Sequence, residues 1–297
     1  MFVTGATGFV GSAVVQELVK SGHTVLGLAR NETGAKALVA MGAEPLLGSL
    51  DDLDSLKRGA AAADAVMHLA FVHDWANFVA SCDTDRRAIE AIGAALAGSN
   101  KPFLVTSGMI GLSGADGGPA TEESVRGPDA VKIPRVSEEA ALALVPRGVR
   151  AMVVRLPPSV HGDGDHGFVP HIVRCAREHQ ASAYAGDGRN RWPAVHRLDA
   201  AAVYRLAMEK GAAGAVFHAV ADEGVAIRDV AAVVGRRLGV PVAAKTARED
   251  VAAHFGFLAI FVALDAPASS KLTQARLGWR PKQCSLLEDL ERGTYFD

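Results

Sequence analysis

The sequence predicts an α/β fold, a doubly wound parallel sheet with a smaller C-terminal lobe. Short apolar segments alternate with alanine-rich helical segments through the first half of the chain. Such alternation is typical of a parallel sheet with helices on both faces. A glycine-rich turn joins the first strand to the first helix, and the alternation stops at a turn-rich stretch, residues 157–167. The 297 residues, 49% of them hydrophobic, suffice for one large core and a smaller one.

The predicted elements of the first half follow one another in strict alternation. The strands are residues 1–4, 24–28, 44–47, 65–70, 103–106 and 150–155, and the helices are residues 10–20, 33–41, 53–60, 83–98 and 135–144. We predict that residues 157–167 lack regular structure. Beyond them, the helices are residues 169–178, 199–210 and 227–238, and the strands are residues 194–197 and 216–219. The sequence therefore divides into a first domain, residues 1–156, and a lobe, residues 157–297.

The turn after the first strand carries the clearest chemical pattern. Three glycines follow the strand at the spacing Gly-x-x-Gly-x-x-Gly. Gly5 suits a tight turn, Gly8 lets a pyrophosphate approach the backbone, and Gly11 lets the helix pack closely on the strand. The free N–H groups at the start of the helix favour the phosphate charge. The pattern predicts a dinucleotide site that also includes Thr7, Phe9 and Val10.

Residues 4–11 resemble the cofactor signature of the extended short-chain dehydrogenase/reductase family. This group includes sugar-nucleotide epimerases and dihydroflavonol-type reductases, and the resemblance extends over nearly the whole chain. It implies a Rossmann domain over residues 1–156 and a substrate lobe in the second half, which also returns elements to the main sheet. It further implies a nicotinamide dinucleotide cofactor, a small-molecule substrate, and either a homodimer or a monomer.

The end of the second strand discriminates between the two nicotinamide cofactors. A carboxylate there binds both ribose hydroxyls of NAD, whereas a basic side chain accommodates the 2′-phosphate of NADP. This chain has Arg30 and Asn31 at that place. The guanidinium can pair with the phosphate through its planar fork, and the Asn31 amide can add a donor. We therefore predict NADP(H) rather than NAD(H).

The resemblance implies further cofactor contacts at the ends of later strands. Ser49 stands where the family has the acid of a Gly-Asp-Leu motif that holds the adenine. Residues 68–71 are similar to the family's His-Leu-Ala-Ala segment beside the ribose and nicotinamide, and residues 155–162 to its Arg-Pro-x-x-Val-Tyr-Gly segment beside the carboxamide. These likenesses assign to the cofactor Ser49, Leu50, Leu69, Ala70, Phe71, Thr106, Pro157 and Ser159.

The family's catalytic pair, Tyr-x-x-x-Lys, is missing. In that pair the tyrosine exchanges a proton with the substrate, the lysine lowers the pKa of the tyrosine, and a serine or threonine orients the substrate oxygen. No tyrosine of this chain has a lysine four residues later, and alignment through Glu139 places Val131 and Arg135 at the two positions. An arginine preserves the positive charge but does not donate a proton. The catalytic hydroxyl is Ser107, or another register replaces it by Gly108.

Three functions remain open. The first is an oxidoreductase that obtains its proton from another group. The second is a catalytically silent NADP(H) sensor similar to the NmrA-like regulators, which retain the glycines and lose the catalytic residues. The third is an epimerase, which the missing tyrosine disfavours. The candidate proton donors are imidazoles, whose ordinary pKa is about 6.5, and one phenol: His73, His161, His166 and Tyr184.

Aromatic side chains surround the expected substrate site, which favours a hydrophobic carbonyl compound or alcohol over a charged sugar nucleotide. We expect the pocket between the nicotinamide, the loops after the fourth and fifth strands, and the start of the lobe. Its predicted lining is Phe71, Trp75, Phe78, Met109, Phe168, Tyr184 and Trp192.

The bulk composition argues against several other functions. A formal charge of −2 indicates no basic face for nucleic acid. No run approaches the roughly 20 apolar residues of a membrane span, and the first strand begins at once, so we expect a cytoplasmic protein. Three widely spaced cysteines predict no disulfide framework. The spacing of His161, Asp163, Asp165 and His166 matches no zinc or calcium loop, so we predict no metal site.

Overall fold

The computed structural model describes residues 1–114, 117–126 and 134–297. Its strands are β1 (Phe2–Thr4), β2 (Leu26–Ala29), β3 (Glu44–Leu47), β4 (Val66–His68), β5 (Pro102–Gly108), β6 (Arg150–Leu156), β7 (Ser159–His161), β8 (Ser182–Ala185), β9 (Arg191–His196), β10 (Val216–His218), β11 (Asp222–Ala226) and β12 (Val242–Lys245). Its α-helices are α1 (Phe9–Lys20), α2 (Glu32–Ala40), α3 (Leu53–Ala62), α4 (Phe78–Leu96), α5 (Ser137–Leu142), α6 (Phe168–Glu178), α7 (Arg197–Lys210), α8 (Ile227–Leu238), α9 (Arg248–Phe255), α10 (Ala259–Val262), α11 (Lys271–Leu277) and α12 (Leu286–Arg292).

The main sheet has seven parallel strands in the order β10-β6-β5-β4-β1-β2-β3. Helices α1, α2 and α7 pack on one face, and α3, α4 and α5 pack on the other. The strand order reverses between β1 and β4, so a crevice opens beyond the carboxyl ends of these two strands. The arrangement confirms the predicted doubly wound sheet.

The lobe has a core of its own. Its strands form a three-stranded sheet, β11-β9-β7, and a pair, β12-β8. Helices α6, α8, α9, α10 and α12 contribute the remaining side chains of that core. By contrast, β10 and α7 belong to the main sheet, where α7 packs along α1. In the part of the chain that the structure describes, no helix is long and apolar enough to cross a membrane.

The prediction that residues 157–167 lack regular structure was wrong for the middle of that stretch. Ser159–His161 forms β7, which pairs in parallel with β9 in the register Ser159–Ala194 and His161–His196. The flanking prolines and glycines concealed this strand because pairing with a distant partner, rather than local propensity, creates it. Helix α4 also begins earlier than predicted, at Phe78 instead of Asp83.

Candidate functional site

The glycine-rich turn lies at the switch point of the sheet, between β1 and the segment after β4. Gly5 has a left-handed φ of 68°, and a Cβ added there would lie 2.6 Å from the Ala70 nitrogen. A Cβ at Gly11 would lie 1.9 Å from the Gly5 carbonyl oxygen. A Cβ at Gly8 would lie 3.2 Å from the same oxygen, a contact that a small shift relieves. Packing therefore requires Gly5 and Gly11, whereas the space over Gly8 is open to a ligand.

The start of α1 fits an anion. Gly8 is the N-cap residue, and among the described residues no side chain caps the helix. The Gly8 N–H donates to the Gly5 carbonyl at 2.9 Å and closes the turn. The next N–H groups, those of Phe9 and Val10, belong to the first helical turn, where they have no partner within the helix. Such groups bind a phosphate well, so the turn suits the pyrophosphate of a dinucleotide.

Arg30 follows the last residue of β2, and its side chain is exposed. Its neighbour Asn31 has a different role, because the Asn31 Oδ1 accepts a hydrogen bond from the Gly34 N–H at 2.9 Å and caps α2. A Cβ added at Gly34 would lie 3.5 Å from the Thr7 Cγ2, so the start of α2 adjoins the glycine-rich turn. Arg30, which precedes α2 by two residues, therefore lies near the turn and is exposed to solvent.

Other predicted cofactor residues lie along the same edge of the sheet, beyond the carboxyl ends of β3, β4 and β6. The Ser49 Oγ accepts from the Asp52 N–H at 3.2 Å, and Leu50 is buried in the core under α3. The Leu69 N–H donates to the Thr4 carbonyl at 3.2 Å, which joins the end of β1 to the segment after β4. Pro157 and Ser159 follow β6 and are both buried.

Two neighbouring hydroxyls at the end of β5 differ in their surroundings. The Thr106 Oγ1 donates to the His68 carbonyl at 2.9 Å and pairs with the Tyr204 hydroxyl at 2.7 Å. Burial raises the pKa of Tyr204, so this phenol stays protonated. Ser107 is also buried. The Thr106 hydroxyl is therefore fully engaged in structure, and Ser107 is the hydroxyl of this pair that remains a catalytic candidate.

Arg135 lies beside two of the predicted cofactor neighbours. Its guanidinium carbon lies 4.2 Å from the centroid of the Phe71 ring. Its Nη2 donates to the Thr106 carbonyl at 3.0 Å, and its Nε donates to the Ser137 Oγ at 2.7 Å. The residue that alignment places at the lysine position is thus held against β5 and the segment after β4. Val131, which the same alignment places at the tyrosine position, lies outside the described residues.

A buried polar group behind Arg135 was missed by the sequence reasoning. The Ser137 Oγ donates to the Asp85 Oδ2 at 2.5 Å, and the Asp85 Oδ1 pairs with the His68 Nε2 at 3.1 Å. Burial alone would raise the pKa of Asp85, but the hydrogen bond and charge of His68, the charge of Arg135 and the Ser137 hydroxyl together lower it. Asp85 is therefore a carboxylate. Its position between Cys82 and Ile89 on the buried stripe of α4 was the available signal.

The candidate proton donors do not converge on one point. Burial and the positive charges of Arg135 and His166 lower the pKa of His73, so this imidazole is neutral near pH 7. Its ring lies 5.1 Å from that of Phe71. Tyr184 lies on β8 in the core of the lobe, where a Cβ added at Gly188 would lie 2.6 Å from its ring. His73 thus adjoins the predicted cofactor residue Phe71, whereas Tyr184 lies away from it.

Aromatic rings from both halves of the chain meet beside the crevice. Trp75 stacks between Phe78 and Phe257, at 5.3 and 5.1 Å between ring centroids. Phe168, at the start of α6, lies 6.0 Å from Trp75 and 5.8 Å from Trp192. The expected pocket residues Phe71, Trp75, Phe78, Phe168 and Trp192 are therefore linked in one aromatic cluster. Phe257 and Phe261 complete that cluster and were not predicted, whereas Met109 packs with Leu112, Ala120, Val220 and Ala268.

The loop after β7 lies against the start of α1 and is held by the C-terminal segment. The His166 ring lies 5.8 Å from the Phe9 ring. The Tyr295 hydroxyl accepts from the Gly162 N–H at 3.1 Å and donates to the Asp289 Oδ2 at 3.0 Å. Asp165 accepts from the Gly167 N–H at 2.7 Å. The His161 Nδ1 pairs with the Asp289 Oδ2 at 2.9 Å. The described residues hold no cluster of three or more potential metal ligands.

We expect Asp165→Asn to stabilise the protein above pH 6. Burial raises the pKa of Asp165 from 3.8 to about 6, so folding favours the protonated acid. A folded-state pKa above the unfolded value means that stability is lost as the pH rises from about 4 to about 6. Because the side chain remains partly exposed, we expect the variant to gain about 1 kcal/mol at pH 7.5 and nothing at pH 4. Urea unfolding at both pH values measures the change in the free energy of unfolding.

The matched control for Asp165→Asn is Asp163→Asn, at an exposed neighbour. An equal gain of stability in both variants would contradict the raised pKa that we assign to Asp165.

Comparison with known proteins gives consistent matches. A model described as the NAD dependent epimerase/dehydratase family matches residues 1–220. An uncharacterized protein of Schizosaccharomyces pombe is 48% identical over 298 residues, 100% of this chain and 99% of its own. A decarboxylating sterol-4-alpha-carboxylate 3-dehydrogenase of Dictyostelium discoideum is 29% identical over 252 residues, 77% of this chain and 73% of its own. The solved dTDP-glucose 4,6-dehydratase DesIV of Streptomyces venezuelae, with NAD bound, has a TM-score of 0.76 at 21% identity and covers 98% of this chain and 94% of its own.

Proposed function

Because the chain belongs to the NAD dependent epimerase/dehydratase family, we propose that it is an NADP(H)-dependent oxidoreductase for a small hydrophobic carbonyl compound or the corresponding alcohol. The observation that carries the proposal is the glycine-rich turn with Arg30 near it. The turn offers N–H groups to a pyrophosphate, and β2 is followed by a basic side chain instead of a carboxylate. Residues around Gly8, Arg30 and 69–71 would hold the cofactor, whose nicotinamide supplies or accepts hydride.

The preference for NADP(H) is tested by Arg30→Glu. The variant replaces an exposed guanidinium with a carboxylate that repels the 2′-phosphate and suits the ribose hydroxyls of NAD(H). We expect the Kd for NADPH to rise about 30-fold or more, because the variant loses one charged hydrogen-bonded contact. The Kd for NADH should stay the same or fall. Titration of the nicotinamide fluorescence measures both constants.

The control for Arg30→Glu is the same charge reversal in the lobe, Arg189→Glu. Arg189 is 75% exposed, and its Nε lies 3.7 Å from the Asp187 Oδ2. Because a remote exposed charge is screened by salt, this variant should leave both Kd values unchanged. Equal weakening of NADPH in both variants would indicate general electrostatics and overturn the assigned role of Arg30.

Arg135 supplies the positive charge of the proposed reaction. Hydride addition to a carbonyl carbon places negative charge on its oxygen, and a fixed cation stabilises that charge. Two of the guanidinium nitrogens of Arg135 are engaged by Thr106 and Ser137, which fixes its plane against Phe71. A guanidinium does not release its proton. We therefore assign protonation of the oxygen to water, with Ser107 as the hydroxyl that orients the substrate.

The aromatic cluster favours a hydrophobic substrate. Trp75 contacts Phe168 and Phe257, and Phe168 in turn contacts Trp192 in the core of the lobe. Contact with such side chains removes the apolar surface of a substrate from water, which favours binding. The same side chains carry no charge that could pair with the diphosphate of a sugar nucleotide. The similarity to a dehydrogenase named for a sterol carboxylate supports the same class of substrate.

The direct test is NADPH oxidation by the purified protein with aryl ketones, alkyl ketones, aldehydes and sugar nucleotides. We expect turnover with the hydrophobic ketones and none with the sugar nucleotides. Gly8→Val should abolish turnover because its side chain fills the space over the turn. NADPH binding without turnover would instead support the sensor function, which the missing Tyr-x-x-x-Lys pair favours.

A further inference from the structure

We infer that Asp85 is a positioning residue that fixes two neighbouring parts of the nicotinamide end of the site, Arg135 and the segment of residues 69–71, whose Phe71 ring Arg135 contacts. The inference rests on the proposed function, because it assigns a role toward the same bound cofactor. It adds a group that no sequence motif marks. Two chains of hydrogen bonds begin at Arg135 and at Ala70 and end on the two oxygens of this one carboxylate.

The first chain runs from Asp85 to Arg135. The Ser137 hydroxyl donates to the Asp85 Oδ2 at 2.5 Å and accepts from the Arg135 Nε at 2.7 Å. The Arg135 Nε also lies 3.8 Å from the Asp85 Oδ2, within ion-pair distance. The serine thus transmits the position of the carboxylate to the guanidinium, and the charges of the two ends attract each other.

The second chain runs from Asp85 to the backbone beyond β4. The His68 Nε2 lies 3.1 Å from the Asp85 Oδ1, and its Nδ1 lies 2.8 Å from the Thr4 Oγ1. The Thr4 Oγ1 also accepts from the Ala70 N–H, at 3.3 Å. A carboxylate accepts only, so the His68 Nε2 donates to Asp85, while the Nδ1 of the same ring is paired with the Thr4 hydroxyl. Both chains therefore end in a donor to Asp85.

The environment makes this carboxylate difficult to replace. Asp85, His68 and Ser137 are each 1% exposed. A buried carboxylate is costly unless it is paired and hydrogen-bonded, and here it has one cation and two donors. An amide at this place can accept from one chain, but its NH2 group faces the donor of the other. We therefore expect Asp85→Asn to break one of the two chains, which frees either Arg135 or the segment of residues 69–71.

The main test uses Ser137→Ala, which breaks the first chain and keeps the carboxylate. In the wild type, the Arg135 Nε–H should give an NMR signal that is shifted and protected from exchange, assigned through Arg135→Lys. In Ser137→Ala we expect the protection to fall about tenfold and the Kd for NADPH to rise about tenfold. Where a substrate turns over, kcat should fall more than KM changes. Ser137→Thr, which keeps the hydroxyl, should restore all these values.

The matched control is Ser182→Ala, the same substitution at a fully buried serine in the lobe. Its hydroxyl donates to the Ala231 carbonyl at 2.8 Å, away from the crevice. The inference would be overturned if Ser137→Ala and Ser182→Ala had the same Kd for NADPH and the same exchange protection of the Arg135 Nε–H. Failure of the wild type to bind NADPH would contradict the proposed function alone, because the Arg135 signal tests the positioning without a cofactor. If Asp85→Asn fails to fold, Ser137→Ala and Thr4→Val still test the two chains separately.

Discussion

Gly11→Ala is expected to lower the free energy of unfolding by about 3 kcal/mol or more and to abolish NADPH binding. The added methyl would lie 1.9 Å from the Gly5 carbonyl oxygen, so α1 must move away from β1. That movement opens the turn that Gly5 and Gly8 form. The loss would occur although alanine favours a helix over glycine by about 1 kcal/mol. Urea unfolding and nicotinamide fluorescence measure the two effects.

Gly34→Ala is the matched control for this prediction. Gly34 occupies the third position of α2, as Gly11 does in α1, and its added Cβ would lie 3.5 Å or more from its neighbours. The control should therefore be as stable as the wild type or slightly more stable. Gly8→Ala should also fold, since its Cβ lies 3.2 Å from the Gly5 oxygen. A Gly11→Ala protein as stable as Gly34→Ala would show that close helix packing is not the function of Gly11.

The first half of the fold could be predicted from the sequence because its elements are apolar and strongly periodic. Strand Glu44–Leu47 agrees with the structure residue for residue, and helix α1 begins one residue before its predicted start. The lobe was predicted less completely, since β8 is only Ser182–Ala185 and β11 contains Asp222 and Gly224. Such short or polar segments become strands through distant pairing, which local propensity does not encode.

The candidate site divides in the same way. Gly5, Gly8 and Gly11 are close together in the sequence, so their spacing alone indicates their roles. The chain from Thr4 through Asp85 to Ser137 joins residues 64, 17 and 52 positions apart. Only the topology of the sheet brings those residues together. A lone carboxylate on the apolar stripe of α4 indicated that a partner must exist, but it could not identify which one.

Helix α5 connects this site to a second buried ion pair. Ser137 contacts the Asp85 carboxylate, and the next residue, Glu138, binds Arg155 at the end of β6. The Arg155 Nη2 and Nε donate to the two Glu138 oxygens at 2.6 and 2.8 Å. One short helix thus carries two charged contacts on consecutive residues. Loss of the second contact should therefore also disturb the first.

Arg155→Met is expected to lower the free energy of unfolding by about 3 kcal/mol, because it leaves the Glu138 carboxylate without its partner in a largely buried place. The Arg155 Nη1 also lies 3.2 Å from the His218 Nε2. The other ring nitrogen, the His218 Nδ1, donates to the Ser269 carbonyl at 2.8 Å. Burial lowers the pKa of His218 to about 4, so the ring is neutral and accepts from Arg155. Removal of the arginine thus leaves a second buried acceptor unpaired. Urea unfolding at pH 7 measures the loss.

Arg191→Met separates the effect of burial from that of geometry. Arg191 binds Asp265 through the same two nitrogens, at 3.0 and 2.8 Å, but its side chain is 41% exposed, against 3% for Arg155. An exposed pair of this kind contributes less than about 1 kcal/mol, since water replaces the lost partner. The double variant Arg155→Met/Glu138→Gln should recover part of the stability, because it removes the unpaired charge. Equal losses in Arg155→Met and Arg191→Met would mean that hydrogen-bond geometry, rather than burial, determines what these arginines contribute.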